Sequence, residues 1–227
     1  KTSSDKAASP MAVTQALPKV LELPVLGKVK LDLSFPGMLY NAQRFEAVTV
    51  SVANQDKGFS GAFSANDMPG KGPVKVDVAL IYGEKSVSKN TGRVIYSNPR
   101  LNVGVRGQSQ NLPIMVKSLS GMDGLPLIST AKVGVFDAQA HVTPKGLYLD
   151  DATVNIDKDA FSVKGSLEGQ GEAALPLLKA NVVADNMDFD TIMGAQKGAS
   201  GSSKAGGAMP FDVELDATVH KAILSGQ

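Results

Sequence analysis

Few residues in this chain have the types and spacing that chemistry needs. The two histidines, His141 and His220, fall in separate strand-like runs, AHVTP and TVHKA. A zinc centre would have to add carboxylates to them, because the chain has no cysteine and no HExxH pair. A histidine alone in a strand is ordinarily a structural or surface residue. Asp157, Asp159 and Glu168 occupy positions one, three and twelve of a calcium-loop frame. The frame then breaks, with Phe161 at position five and Ser162 at position six, where the sharp turn requires glycine. Asn186, Asp188 and Asp190 start a similar frame, and Thr191 stands at its glycine position. These acidic groups read better as an aspartate-rich hairpin turn and a helix N-cap. Gly169 to Ala174 spell GQGEAA, a G-x-G-x-x-A match, but Pro176 arrives where a dinucleotide fold needs a long helix. There is no G-x-S-x-G elbow, no Walker A loop, and no serine with a histidine and an acid in a known order. The expectation is a non-enzymatic chain with no metal or other cofactor. A glycan hydrolase on a β scaffold stays open only if two carboxylates stand about 5–9 Å apart in a cleft.

Composition narrows the classes further. With 227 residues the chain can bury a sizeable core, in one large or two small domains. Lysine and arginine number 23 against 22 acidic residues, for a net charge of +1. That balance, with charges scattered, argues against nucleic-acid binding. Without cysteine there are no disulfides or thiolate sites. Tryptophan is absent and aromatics are 5%, which is low for a recognition surface built on aromatic anchors. No run approaches the roughly 18 apolar residues that would span a bilayer. The first residue is Lys1, and the chain reads as an excised piece of a longer protein, which leaves room for a signal peptide or membrane anchor outside it.

The elements that must position any site are strands. Period-two alternation recurs along the chain, the mark of a strand with one apolar face. It sets Val29, Leu31 and Leu33 on one side, then Val48, Val50 and Val52, then Val74, Val76, Val78 and Leu80. The same pattern gives Leu101, Val103 and Val105, then Ala152, Val154 and Ile156, and Phe161, Val163 and Leu167. It resumes with Phe211, Val213, Leu215, Ala217 and Val219. Valine and threonine enrichment favours strand over helix here. Turn clusters fall at Pro36-Gly37, 54–58, 66–73, 90–92, 144–146 and 157–159. Many short strands with frequent turns predict an antiparallel all-β protein.

One to three short helices interrupt the pattern. Residues 9–24 hold a short helix or irregular segment, broken at Pro18. Residues 111–121 read as a helix with Asn111 as N-cap, Pro113 early and Gly121 at the end. Residues 188–198 read as another, and the Gly/Ser-rich 198–208 as a flexible loop. The expected organisation is an N-terminal segment 1–24, a first β unit 25–128 ending in a short helix, and a second β unit 129–227.

The two units echo one another. A shift of 104 sets Thr49-Val50 on Thr153-Val154, Gly61 on Gly165 and Val78 on Val182. A shift of 77 sets Gly92 on Gly169, Pro99 on Pro176 and Val105 on Val182, with Leu112 and Met115 falling on Phe189 and Ile192. Such quasi-repeats stack into an extended sheet. The ordinary use of its apolar faces is a sealed sandwich or barrel core. The alternative is a curved, twisted antiparallel sheet, partly closed, whose apolar face forms a groove. A groove of that kind holds acyl chains at about 0.8 kcal/mol per buried methylene, without specific polar contacts.

The segments LYLDDATVNI, the glycines before Pro176, ANVVADNMDFDTIM and MPFDVELDAT resemble the C-terminal region of the AsmA family, the bacterial envelope proteins related to TamB. The resemblance covers roughly residues 90–227, with a fainter echo in 25–82. It implies a periplasmic β groove, anchored in the inner membrane outside this fragment, that shelters phospholipid or other acyl chains for lipid transport or outer-membrane biogenesis. It carries no catalytic residues over. On this reading Val48, Val50, Val76, Val78, Val103, Val105, Val154, Ile156 and Val163 line the groove, and envelope proteins are further partners. The alternative is a structural or protein-interaction module of the envelope, with the same residues in a sealed core and no ligand.

Overall fold

The computed structural model describes residues 17–23, 27–40, 43–55, 57–69, 71–89, 92–112, 114–115, 133–156, 159–169, 175–188 and 212–223. Nearly all of these are strand, and helical geometry occurs among them only at Leu112, Ile114 and Met115. The strands are β1 (Val20–Leu23), β2 (Val29–Tyr40), β3 (Gln43–Gln55), β4 (Gly58–Ala65), β5 (Val74–Ile81), β6 (Glu84–Val87), β7 (Val94–Ser97) and β8 (Arg100–Ser109). After them come β9 (Gly134–Thr143), β10 (Gly146–Ile156), β11 (Asp159–Glu168), β12 (Leu177–Asp188) and β13 (Asp212–Ile223).

Ten strands make one large twisted sheet in the order β13-β12-β11-β10-β9-β8-β5-β4-β3-β2, which does not close into a barrel. A three-stranded sheet, β1-β7-β6, draws two of its strands from the chain between β5 and β8. The all-β expectation is met. Eight of the nine ladders of the large sheet are antiparallel, but β12 and β13 pair in parallel, so the sheet is mixed. Alternation says which residues share a face and nothing about strand direction, which is why the parallel pair was not anticipated.

The turns expected around 54–58, 66–73 and 144–146 each fall between successive antiparallel strands, and those at 90–92 and 157–159 lie largely outside the described residues. Pro36-Gly37 is different: β2 runs straight through it, with Phe35 opposite Val48 and Gly37 opposite Glu46. Across from Pro36, Ala47 takes a positive φ of 47°. The paired irregularity switches the alternation, so that Phe45 and Val48 are both buried although three positions apart. A second correction concerns residues 9–24: the part described holds the short strand β1, which Val20, Leu21 and Leu23 favour once it pairs with β7. The expected helix at 188–198 starts one residue too early, since β12 continues through Asp188. Its remainder, the loop 198–208 and most of 111–121 lie outside the described residues.

The start of that middle helix follows the expected chemistry. The Asn111 side-chain oxygen accepts the Ile114 backbone N–H at 3.2 Å, and the Asn111 carbonyl accepts from Met115 at 3.2 Å. Asn111 is thus the N-cap. The turn lays Leu112 and Met115 onto the sheet, where they join Phe45, Val48, Ala65, Met68 and Val74 in the main buried cluster. Gly134 makes room for it, because a Cβ there would stand 2.8 Å from a Leu112 methyl carbon. Met68 reaches the cluster from the 66–72 turn, where Asp67 accepts the N–H groups of Met68 and Gly72.

The internal echo has a structural counterpart. Under the 104 shift, the meander β3-β4-β5 falls on β10-β11-β12. Gly61 and Gly165 sit mid-strand in the two central positions, opposite Val78 and Ala180. Under the 77 shift, Pro99 and Pro176 are both buried, each one residue before a strand begins. The β8–β9 ladder joins the two units into one continuous sheet.

Candidate functional site

Residues directly opposite one another in a ladder share a sheet face. Following the pairs from edge to edge therefore assigns the side chains. One row reads Leu33, Val50, Phe63, Val76, Val105, Ala138, Ala152, Val163, Val182 and Ala217. It crosses all ten strands without a polar side chain. The next row reads Leu31, Val52, Gly61, Val78, Val103, Ala140, Leu149, Gly165, Ala180 and Leu215, again with none. A third, from Val29 to Val213, contains one polar residue, Asn54. The candidate site is this continuous apolar face.

All nine residues expected to line a groove lie on it. Their accessibility differs. Val48 has 0% of its surface exposed, sealed under the 112–115 turn and Met68, so it belongs to the core and touches no guest. Val50, Val76 and Ile156 are half-buried against the same cluster. Val78, Val103, Val105, Val154 and Val163 are half-buried and lie outside that cluster. Toward the two edges the face opens: Leu31 is 46% exposed, Phe35 40% and Leu215 60%. The face is plugged at one end and exposed at both edges, and mid-sheet at Leu147, which is 43% exposed.

Sequence reasoning missed two stretches of this face whose signal was present. Phe59, Gly61, Phe63 and Ala65 in β4, and Phe136, Ala138, Ala140 and Val142 in β9, alternate at period two. Small residues interleaved with the large ones hid the pattern.

The opposite face is polar. It carries a cleft of about 370 Å³ lined by Lys30, Asp32, Ser51, Ser60, Asp77, Asn102 and Gln139 among others. Its carboxylates are neutralised within their own strands, Lys30 to Asp32 at 2.9 Å and Lys75 to Asp77 at 3.0 Å. The Lys30 hydrogen bond, followed by that from Ser51, holds the Asp32 carboxyl below its usual value. Asp32 and Asp77 lie in one row with Ser51 and Ala62 between them. Three strand spacings put them about 14 Å apart, too far for paired acid catalysis in a glycosidase.

A second polar group surrounds His141. Its Nδ1 lies 2.8 Å from Asp150 Oδ2, its ring stacks on Tyr148 at 4.6 Å, and Arg100 approaches the same carboxylate at 3.8 Å. An irregularity in β10 between Leu149 and Asp151 brings Asp150 and Asp151 to one face, and Lys164 meets Asp151 at 3.8 Å. His141 is largely covered here, while Asp150 and Arg100 stay about half exposed. His220 sits 3.9 Å from Asp185, with both exposed. Three strands separate the histidines' strands, so at least about 19 Å divides them and they cannot share a metal.

The calcium-loop frames also fall apart. Asp157 and Asp190 lie outside the described residues. Asp159 pairs with Ile156 on the apolar face, with one buried carboxylate oxygen lacking a hydrogen bond, while Glu168 is exposed at the far end of β11. Asn186 and Asp188 extend β12. Among the described residues no three histidine or acidic groups gather as metal ligands, and no helix is long and apolar enough to cross a membrane. Compared with protein-family models, curated proteins and solved structures, the chain matches none.

Proposed function

We propose that this chain is a non-catalytic, AsmA-like envelope module whose apolar sheet face shelters the acyl chains of lipids. The observation that carries the reading is the pair of adjacent rows that cross ten strands without a polar side chain. Exposed apolar surface of that extent is uncommon on a protein with nothing to bind. Hydrocarbon is the guest it suits, because the face offers methyl and methylene groups with scarcely a donor or acceptor. Lipid tails would lie along Val78, Val103, Val105, Val154 and Val163, with headgroups in solvent at the open edges. The periplasm, an inner-membrane anchor elsewhere in the protein, and a role in lipid transport or outer-membrane biogenesis belong to the same proposal. The ion-paired carboxylates of the opposite face give an enzyme reading little to work with.

The buried cluster around Val48 favours a second reading at one end: an envelope interaction module with its apolar face sealed. Native mass spectrometry of the protein purified without detergent separates the two. Co-purifying diacyl lipids in stoichiometric amount support the first. A clean apo mass, with no uptake from added phospholipid vesicles, sinks it and leaves the second.

A further inference from the structure

The four sheet edges among the described residues are not equally protected. β1 and β6, which flank the small sheet, are four residues each, too short to template much pairing. β2 is 12 residues long, but Pro36 removes a donor from its middle and Ala47 kinks its neighbour. β13 is also 12 residues, Asp212–Ile223, and it contains no proline, no glycine and no register shift against β12. From Asp212 to Ala222 its side chains are exposed, except that Val219 is half-buried. Its outer edge pairs with no other described strand. An edge this long and regular, with an apolar side, presents a row of backbone donors and acceptors to any matching strand.

We propose that β13 pairs with β13 of a second copy, antiparallel about a two-fold axis at Ala217, making a twenty-stranded sheet from two chains. The sequence of the strand is self-complementary in this register. Only pairings that keep like faces together are allowed, and three are central. With Ala217 opposite itself, Glu214 lies opposite His220 of the second copy, twice by symmetry. Asp216 meets Thr218, Leu215 meets Val219, and Val213 meets the aliphatic stem of Lys221 at each end. Shifting two residues one way sets Asp216 against Asp216 and repels. Shifting two the other way draws Lys221 inward onto Leu215 and costs the Leu215–Val219 pairs. Glu214, which also holds Lys179 at 2.9 Å, can accept a hydrogen bond from the facing His220 ring; polar and apolar cross-strand pairs of this kind favour pairing, and like charges directly opposite disfavour it. An isologous contact of this kind closes at two copies. The proposal is independent of whether the apolar face holds lipid, although it would merge two such faces into one.

The chain has no cysteine, so a single introduced thiol reports cleanly. Residues opposite in an antiparallel pair have Cβ atoms about 4.5–5.5 Å apart, within reach of a disulfide after small adjustment. Ala217→Cys should therefore cross-link to a covalent dimer under mild oxidation, and Leu31→Cys on β2 should not. Sedimentation equilibrium of the unmodified chain should show a reversible monomer–dimer equilibrium. His220→Glu, which faces Glu214 of the second copy, should raise its dissociation constant about tenfold or more. Far-UV circular dichroism confirms that each variant is folded. A folded monomer at the highest soluble concentration overturns the proposal. So does equal cross-linking of the Ala217→Cys and Leu31→Cys variants, or growth beyond two copies, which would mean head-to-tail pairing of β13 with β2.

Discussion

Gly134 shows how one missing side chain decides local packing. It lies on the apolar face opposite Ile156 and Ser109, where the Leu112 side chain descends. Gly134→Val would drive Leu112 off the sheet and loosen the contacts over Val48. The expected loss is about 1–3 kcal/mol, read as a lower urea midpoint with an unchanged slope. On the polar face, Asp32 has its carboxyl pKa below the ordinary 3.8 because Lys30 and then Ser51 hydrogen-bond to it. A depressed folded value stabilises above the unfolded pKa and is lost as pH falls through the folded one. Carbon-detected titration should find Asp32 still mostly ionised at pH 3.8, the ordinary midpoint. Replacing Lys30 with Met should bring it back toward that value.

Among elements, the 112–115 turn is the one whose cap can be removed cleanly. Asn111→Ala abolishes the hydrogen bond to Ile114 and should cost about 1 kcal/mol in chemical denaturation. That cap was readable in sequence because capping chemistry is local: asparagine, an early proline and an apolar run suffice. The common face of the nine residues was readable for a related reason, since period two alone puts Val103 and Val105 on the same side of one strand. Agreement between strands needed the ladders. Nothing in Val48 distinguishes it from Val103, yet one is sealed and the other half-buried. The difference is made by Leu112, Met115 and Met68, which arrive from elsewhere in the chain. The parallel direction of β13 likewise depends on a partner strand distant in sequence, and the bulge beside Asp150 on the register of its hairpin with β9.

At the scale of the whole molecule, the apolar face behaves as a single surface only if its rows stay unbroken. Val103→Asp places a carboxylate near the middle of one row, between Val78 and Ala140. On the lipid reading, co-purifying lipid should fall at least about tenfold while the circular dichroism spectrum is kept, because a charge facing hydrocarbon costs several kcal/mol. Retained lipid would mean that the tails lie elsewhere.

β13 sets a further property, in time and not in space. The other strands from β3 to β12 in the large sheet have a neighbour on each side, but β13 is held by one ladder and reached only after the chain has crossed residues 189–211. A one-sided attachment at the end of a long closure is the first to let go. In dilute solution its amides should exchange with deuterium soonest in the large sheet, while β4, β5 and β8 hold out. If copies associate through it, that gap should narrow as the protein is concentrated, and the fraying margin of one chain becomes the quiet middle of two.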